Sequence, residues 1–169
     1  MTLDISSHSI DVCMNEPIKI RKVEKNETQY LSKLALNSKS YWGYSKDFML
    51  ACQEELQVTE EKINKLHYWI AENQNKIVGF YALDPISNSD YELEALFVDP
   101  TYIGKGFGKA LIIHAKIFAA SLGAERLIIQ GDPNAEKFYL AAGGELTGEL
   151  ESGSIPGRFL PTYCISLTN

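Results

Sequence analysis

The stretch YIGKGFGKAL, residues 102–111, sets three glycines and two lysines between two apolar runs. Glycines let successive backbone N–H groups converge, and a helix starting just after them adds free donors and a partial positive charge. Lys105 and Lys109 add full charges. Such a pattern suits the grip of an anion, and a pyrophosphate would fit. The alternative is a glycine-rich turn with solvated lysines. Two common phosphate motifs fail on spacing. G-x-x-x-x-G-K-[ST] ending at Gly108-Lys109 needs a glycine at 103 and a hydroxyl at 110, where Ile103 and Ala110 stand. G-x-G-x-x-G needs a third glycine where Lys109 or Leu111 stands. Upstream, Glu92 and Glu94 are two residues apart. A regular strand puts both carboxylates on one face, with Tyr91, Leu93 and Ala95 on the other. The histidines (His8, His67, His114) and cysteines (Cys13, Cys52, Cys164) are scattered, with neither metal-ligand spacing nor a disulfide framework.

The elements that hold these groups follow from periodicity. IKIRKV (18–23) alternates as a half-buried strand does. Residues 26–39 have helical spacing, with Asn26 as the expected N-cap, and SYWGYS (40–45) breaks it before a second helix at 46–56. Segments 66–72 and 76–83 read as a hairpin, and 91–98 as a strand closed by Asp99-Pro100. After the glycine loop, 108–123 reads as a helix stopped by Gly123. A buried-type strand follows at 126–131. Asp132 and Pro133 open a short helix ending on Gly143. Two more strands, 144–150 and 162–167, flank a loop at 152–161. The order predicts an α/β chain with a mixed sheet flanked by helices, not a doubly wound parallel one. Residues 1–16 read as a loosely ordered arm and 17–169 as a single domain.

Composition narrows the function classes. The chain has 169 residues, with Lys+Arg 16 against Asp+Glu 22 and a net charge of -6. That balance argues against a nucleic-acid footprint, which needs a dense basic face. No apolar run reaches the roughly 18 residues of a membrane span. The N-terminus lacks the basic head and apolar middle of a signal peptide, so a cytoplasmic location is the expectation.

Taken together, ALFVDPTYIGKGFGKAL (95–111) and DPNAEKFYLAAGGE (132–145) resemble the coenzyme-binding motifs of the GNAT superfamily of N-acetyltransferases. In element order the resemblance covers about residues 17–167, and it is tight over 92–144. One departure is Ile103, which stands where the family pattern R/Q-x-x-G-x-G/A has Arg or Gln. It removes a polar side chain but keeps the backbone donor. The resemblance implies a central, mostly antiparallel sheet of six to seven strands with about four helices. It implies transfer of an acetyl group from acetyl-CoA to a primary amine of a small molecule or peptide by direct attack, without a metal. Backbone groups of Leu96, Phe97 and Val98 would bond the pantetheine like an added strand, provided this strand splays from RLIIQG. An N–H of Phe97 or Val98 would polarise the thioester carbonyl. The N–H groups of Ile103, Gly104, Lys105, Gly106, Phe107, Gly108 and Lys109 would hold the pyrophosphate, and Asn134 would bond the pantetheine further along.

For the chemistry, the resemblance makes Tyr139 the general acid that protonates the leaving thiolate; the alternative is a tyrosine that packs or only hydrogen-bonds the sulfur. Glu92, placed like the glutamate of the histone-acetylating branch, and Glu94, nearer the thioester if the strand bulges, are the candidate bases. The alternative is that both are solvated or pair with Lys19 or Arg21. Trp42 and Tyr44 would wall the acceptor cleft, and Arg158 would hold a substrate carboxylate; core-edge packing and a surface arginine are the plainer readings. Sugar antibiotics, polyamines, amino acids, peptide termini and lysine side chains all remain open as acceptors. A non-catalytic sensor or adaptor that binds CoA or acyl-CoA is the competing function. Edge strands at the chain end leave room for a homodimer.

Overall fold

A computed structural model describes residues 18–168. The expected arm at 1–16 lies outside the described residues. The strands are β1 (Lys19–Lys22), β2 (His67–Asn73), β3 (Lys76–Pro85), β4 (Asp90–Val98), β5 (Arg126–Gln130), β6 (Glu145–Glu151) and β7 (Phe159–Ser166). The α-helices are α1 (Thr28–Ser40), α2 (Lys46–Leu56), α3 (Glu60–Lys65), α4 (Phe107–Ser121) and α5 (Glu136–Ala141). The strands form one sheet in the order β1-β2-β3-β4-β5-β7-β6. Only β4 and β5 run parallel; the other neighbours are antiparallel. The mixed, mostly antiparallel sheet expected from sequence is therefore present. No helix among the described residues is long and apolar enough to cross a membrane.

Each face of the sheet is covered by one long helix. Helix α4 buries Leu111, Ile112, Ala115 and Ala119 in one core with Tyr81, Leu83, Leu93 and Leu127. On the other face α1 buries Leu31, Leu34 and Ala35 against Ile70, Phe80 and Ala82. Burying a leucine-sized side chain stabilises by about 1.5–3 kcal/mol, so these two stripes pin both helices to the sheet. The β2–β3 hairpin turns through Gln74 and Asn75, both left-handed at φ 50° and 63°. That is the two-residue geometry whose twist matches the strands, and asparagine tolerates it.

Three local expectations need correcting. Asn26 does not cap α1. It sits inside a 3₁₀ turn, Lys25–Glu27, and the helix begins at Thr28. Glu27 fixes the entry instead: its carboxylate accepts from the Glu24 N–H at 2.7 Å and from Arg21 at 2.7 and 2.9 Å. Helix α3 was not foreseen, because EEKINK carries a single apolar residue. Its signal is electrostatic: Thr59 accepts from the Lys62 N–H, Glu60 and Glu61 open the helix and Lys62 and Lys65 close it, matching the dipole. The third correction concerns β4. Ala82 pairs with Ala95 but Leu83 pairs with Leu93, so Glu94 is an extra residue, a bulge. The bulge shifts the phase. Ala95 joins the α1 side with Phe80 and Ala82 instead of sharing a face with Tyr91 and Leu93.

Gly79 is where β3 passes under both β4 and α4. A Cβ there would lie 2.8 Å from the Phe97 carbonyl oxygen and 3.0 Å from Leu111. Backbone cannot yield as a side-chain tip does. Gly79→Ala is expected to destabilise the protein by about 1–3 kcal/mol, read as a lower denaturation midpoint.

Candidate active site

Strands β4 and β5 are paired only at their N-terminal ends, through Asp90–Arg126, Tyr91–Leu127 and Glu92–Ile128. Beyond Glu92 they part, and β4 runs on to Val98 with no partner on that side. The splay opens into a cleft of about 580 Å³ that reaches from the glycine loop to α2 and the 152–158 loop. Leu96, Phe97 and Val98 line it. The free edge of β4 presents main-chain donors and acceptors to any extended molecule laid along it.

At the end of that edge Asp99 accepts from the Thr101 N–H at 3.0 Å and starts a 3₁₀ turn, Pro100–Tyr102. Gly104 and Gly106 then take left-handed conformations, φ 80° and 89°, and α4 begins at Phe107. The Ile103 and Lys105 N–H groups close turns onto Pro100 and Tyr102, and Ala110 bonds back to Gly106. The N–H groups of Gly104, Gly106, Phe107, Gly108 and Lys109 have no backbone partner among the described residues. Of the seven amides expected from sequence to meet a pyrophosphate, five are therefore free of backbone partners. Ile103, at the position of the absent polar side chain, is exposed. Lys109 lines the cleft, whereas the Lys105 ammonium lies 5.3 Å from the centre of the Tyr102 ring.

Gly108 also locks the loop to the far wall, because the Phe138 ring stands 3.3 Å from where a Cβ would be. Next to Phe138, Tyr139 is only 8% exposed but lines the cleft. Its ring packs over Gly131, where a Cβ would sit 3.1 Å away, and lies 5.6 Å from the Tyr163 ring. The Tyr139 hydroxyl has no hydrogen-bond partner among the described residues. Burial, aided by Asp132 and Tyr163, raises its pKa and keeps the phenol protonated.

Opposite lie the carboxylates. Asp84, Glu92 and Glu94 each have an oxygen within 4.8 Å of the others. Neither Lys19 nor Arg21 reaches Glu92 or Glu94; both pair with Glu72, at 3.8 and 2.7 Å. Glu94 is open to the cleft, yet protein surrounds it. That environment, with the charges of Glu92 and Asp84 beside it, pushes its pKa up to about 7. Burial, then Asp84, raises Glu92 as well.

The acceptor-side residues fall into two groups. Trp42 lines the cleft and is 46% exposed. Tyr44 does not line it; its ring stacks on Phe48 with centroids 4.0 Å apart. The Tyr44 hydroxyl donates to Asp132 Oδ2 (2.8 Å) and accepts from Asn134 Nδ2 (3.0 Å) and Arg158 Nη2 (2.9 Å). Lys39 donates to the same carboxylate at 2.6 Å. Burial would raise the Asp132 carboxyl, but Lys39, the Asn134 N–H and Tyr44 hold it below the ordinary range. Arg158 lines the cleft, yet it pairs with Asp132 at 3.8 Å and lies over the Phe48 ring at 4.7 Å. Tyr44, Asn134 and Arg158 therefore tie three loops together through Asp132.

The acetyltransferase (GNAT) family model matches residues 36–143, a span that holds the splayed strand, the glycine loop and Tyr139. The chain belongs to the GNAT family. It is 33% identical over 84 residues to the peptidyl-lysine N-acetyltransferase YjaB of Salmonella typhimurium, covering 49% of this chain and 53% of that one. The chain thus spans about half the length of this curated relative. Its fold is similar to that of the PaiA N-acetyltransferase of Thermoplasma acidophilum in complex with coenzyme A. There the TM-score is 0.74 at 20% identity, over 89% of this chain and 99% of that one. YncA of Salmonella typhimurium, solved with acetyl-CoA, matches with a TM-score of 0.65 at 15% identity, over 91% and 96%.

In this GNAT chain, residues around the cleft that sequence reasoning left out are Asp84, Tyr68, Lys39 and Asp132 as a hub. Asp132 was visible only as a helix cap. Its partners Tyr44 and Lys39 are 88 and 93 residues away, and no local pattern carries such a pairing.

Proposed function

We propose that this chain moves the acetyl group of acetyl-CoA onto a primary amine by direct attack. The reading rests on one observation above all: the unpaired edge of β4, running from five free loop amides to the unpartnered hydroxyl of Tyr139. Gly104, Gly106, Phe107, Gly108 and Lys109 would hold the diphosphate, and Leu96, Phe97 and Val98 the pantetheine arm. Asn134 already donates to Tyr44 and Asp132, so its contact with the pantetheine requires its amide to be shared or released. The acetyl thioester supplies an activated acyl group; the protein supplies position and proton transfer.

A free alkylamine titrates near 10, so the acceptor arrives as an ammonium and must lose a proton before attack. Glu94, raised to about 7, is the better matched base of the two strand carboxylates. The acceptor nitrogen forms the new C–N bond as the C–S bond breaks. Of the two protons it gives up in all, one leaves to solvent through Glu94. The other balances the proton that Tyr139 places on the departing sulfur. An N–H of Phe97 or Val98 on the free edge of β4 would polarise the carbonyl.

Incubation with acetyl-CoA and a panel of amines, followed by thiol release, tests the reading. Release that depends on an amine supports transfer. Binding of acetyl-CoA without release would favour a sensor, and absence of binding would overturn both. Tyr139→Phe is expected to lower kcat by about tenfold or more and leave the calorimetric affinity for CoA nearly unchanged. An equal rate would make Tyr139 a packing residue.

A further inference from the structure

The cleft is electrically lopsided. At the far end of β4, Glu55, Glu92 and Glu94 line the cleft, and Asp84 stands just behind them with an oxygen within 4.8 Å of Glu92 and Glu94. None of the four takes part in an ion pair among the described residues. The cations nearby are engaged elsewhere. Lys39 and Arg158 are held by Asp132. The Lys62 ammonium donates to the Glu55 and Gln57 carbonyls at 3.0 and 2.7 Å. A second, independent feature points into the same corner. Tyr68 is 5% exposed and lines the cleft, with its ring stacked on Phe80. Its hydroxyl has no hydrogen-bond partner among the described residues, and it lies in the field of Glu94. A buried phenol beside crowded carboxylates offers a lone pair to a donor-rich cation. Lys62 is close enough for its charge to ease the Glu94 carboxylate, but its ammonium is anchored on the two carbonyls and pairs with none of the four carboxylates among the described residues.

Resting on the proposed amine acetylation, we propose that the acceptor is a diamine or longer polyamine. Its reacting nitrogen meets Glu94, and a second ammonium is seated by Asp84 and Glu92 with the Tyr68 hydroxyl alongside. The like charges are tolerated in the free protein and become complementary once a dication enters.

Three probes of equal chain length test this: 1,4-diaminobutane, n-butylamine and 4-aminobutanoate. The diamine is expected to exceed butylamine in kcat/KM by about tenfold or more, with 4-aminobutanoate poorest. Asp84→Asn should narrow the diamine-to-butylamine ratio by about tenfold. It removes a repulsive charge, so a melting curve should show it folded; Tyr68→Phe, which keeps the ring, should narrow the ratio in the same direction. Butylamine matching the diamine, or a preference for the amino acid, would overturn the inference while leaving amine acetylation standing. If no amine releases thiol, the transfer reading fails by itself, and calorimetry of 1,4-diaminobutane on the CoA-loaded protein decides the diamine site alone. Binding there, lost in Asp84→Asn, supports the site, and no heat overturns it. Titration with Mg²⁺, Ca²⁺ and Mn²⁺ covers the rival occupant. Tight binding of a metal that displaces the diamine would make the cluster a cation site instead.

Discussion

Gly106→Glu is expected to lower the affinity for coenzyme A by more than about 100-fold while the protein stays folded. Two effects act together. Gly106 is left-handed at φ 89°, a conformation that costs an L residue about 1–2 kcal/mol. It is also one of the five unpaired amides at the mouth of α4, so a carboxylate there would face the diphosphate across the same small space. The fold should survive because a Cβ at this position meets nothing within 4 Å. Gly106→Ala separates the two effects, since it brings the strain without the charge. Its loss should be about tenfold, well short of that of the glutamate. Calorimetry with CoA gives the affinities and a thermal melt the folding. Wild-type affinity in the glutamate variant would move the anion away from this loop.

The second large effect is expected from Glu94→Gln, at about 100-fold in kcat/KM near pH 7. In the parent protein kcat/KM should climb with pH and level off above about 7, as Glu94 loses its proton. The variant should lack that limb, whereas a limb at the same pH would assign it to another group. The same shift predicts a change in stability. A carboxyl whose pKa is raised in the folded state holds its proton more tightly folded than unfolded. The stabilisation this gives is complete below its ordinary value and is lost as pH rises through about 7. Glutamine resembles the protonated form, so Glu94→Gln should melt higher than the parent at pH 8 and nearly level with it at pH 4. Loss of stability at both pH values would mean that the carboxylate is held by a favourable contact.

These two residues also mark how far the sequence reaches. Gly106 was legible because its role is local: the glycines, the following helix and the lysines all lie within ten residues. The same holds for the hairpin at Gln74-Asn75, for the apolar stripe of α4, and for the Asp99-Pro100 and Asp132-Pro133 starts, each set by backbone preference or by a repeat of two or 3.6 residues. Glu94 was legible only as a candidate. Its environment depends on a bulge, and a bulge comes from pairing with β3, which alternation within β4 cannot report. Asn26 failed as a cap for a related reason: Arg21, from β1, draws Glu27 into place and moves the helix start.

By itself the sequence determined the order of the elements apart from α3, the mixed sheet and the glycine turn that opens α4, because short-range sterics and hydrophobic periodicity specify those. Tertiary structure alone decided where β4 and β5 part and which loop amides stay free. It also drew Tyr44, Asn134 and Arg158 onto Asp132, crowded three carboxylates together and put the Tyr68 phenol in the field of one of them, Glu94. Each of these depends on groups brought together from distant parts of the chain, where the energy lies in desolvation and charge at contact distance, and one-dimensional spacing carries neither.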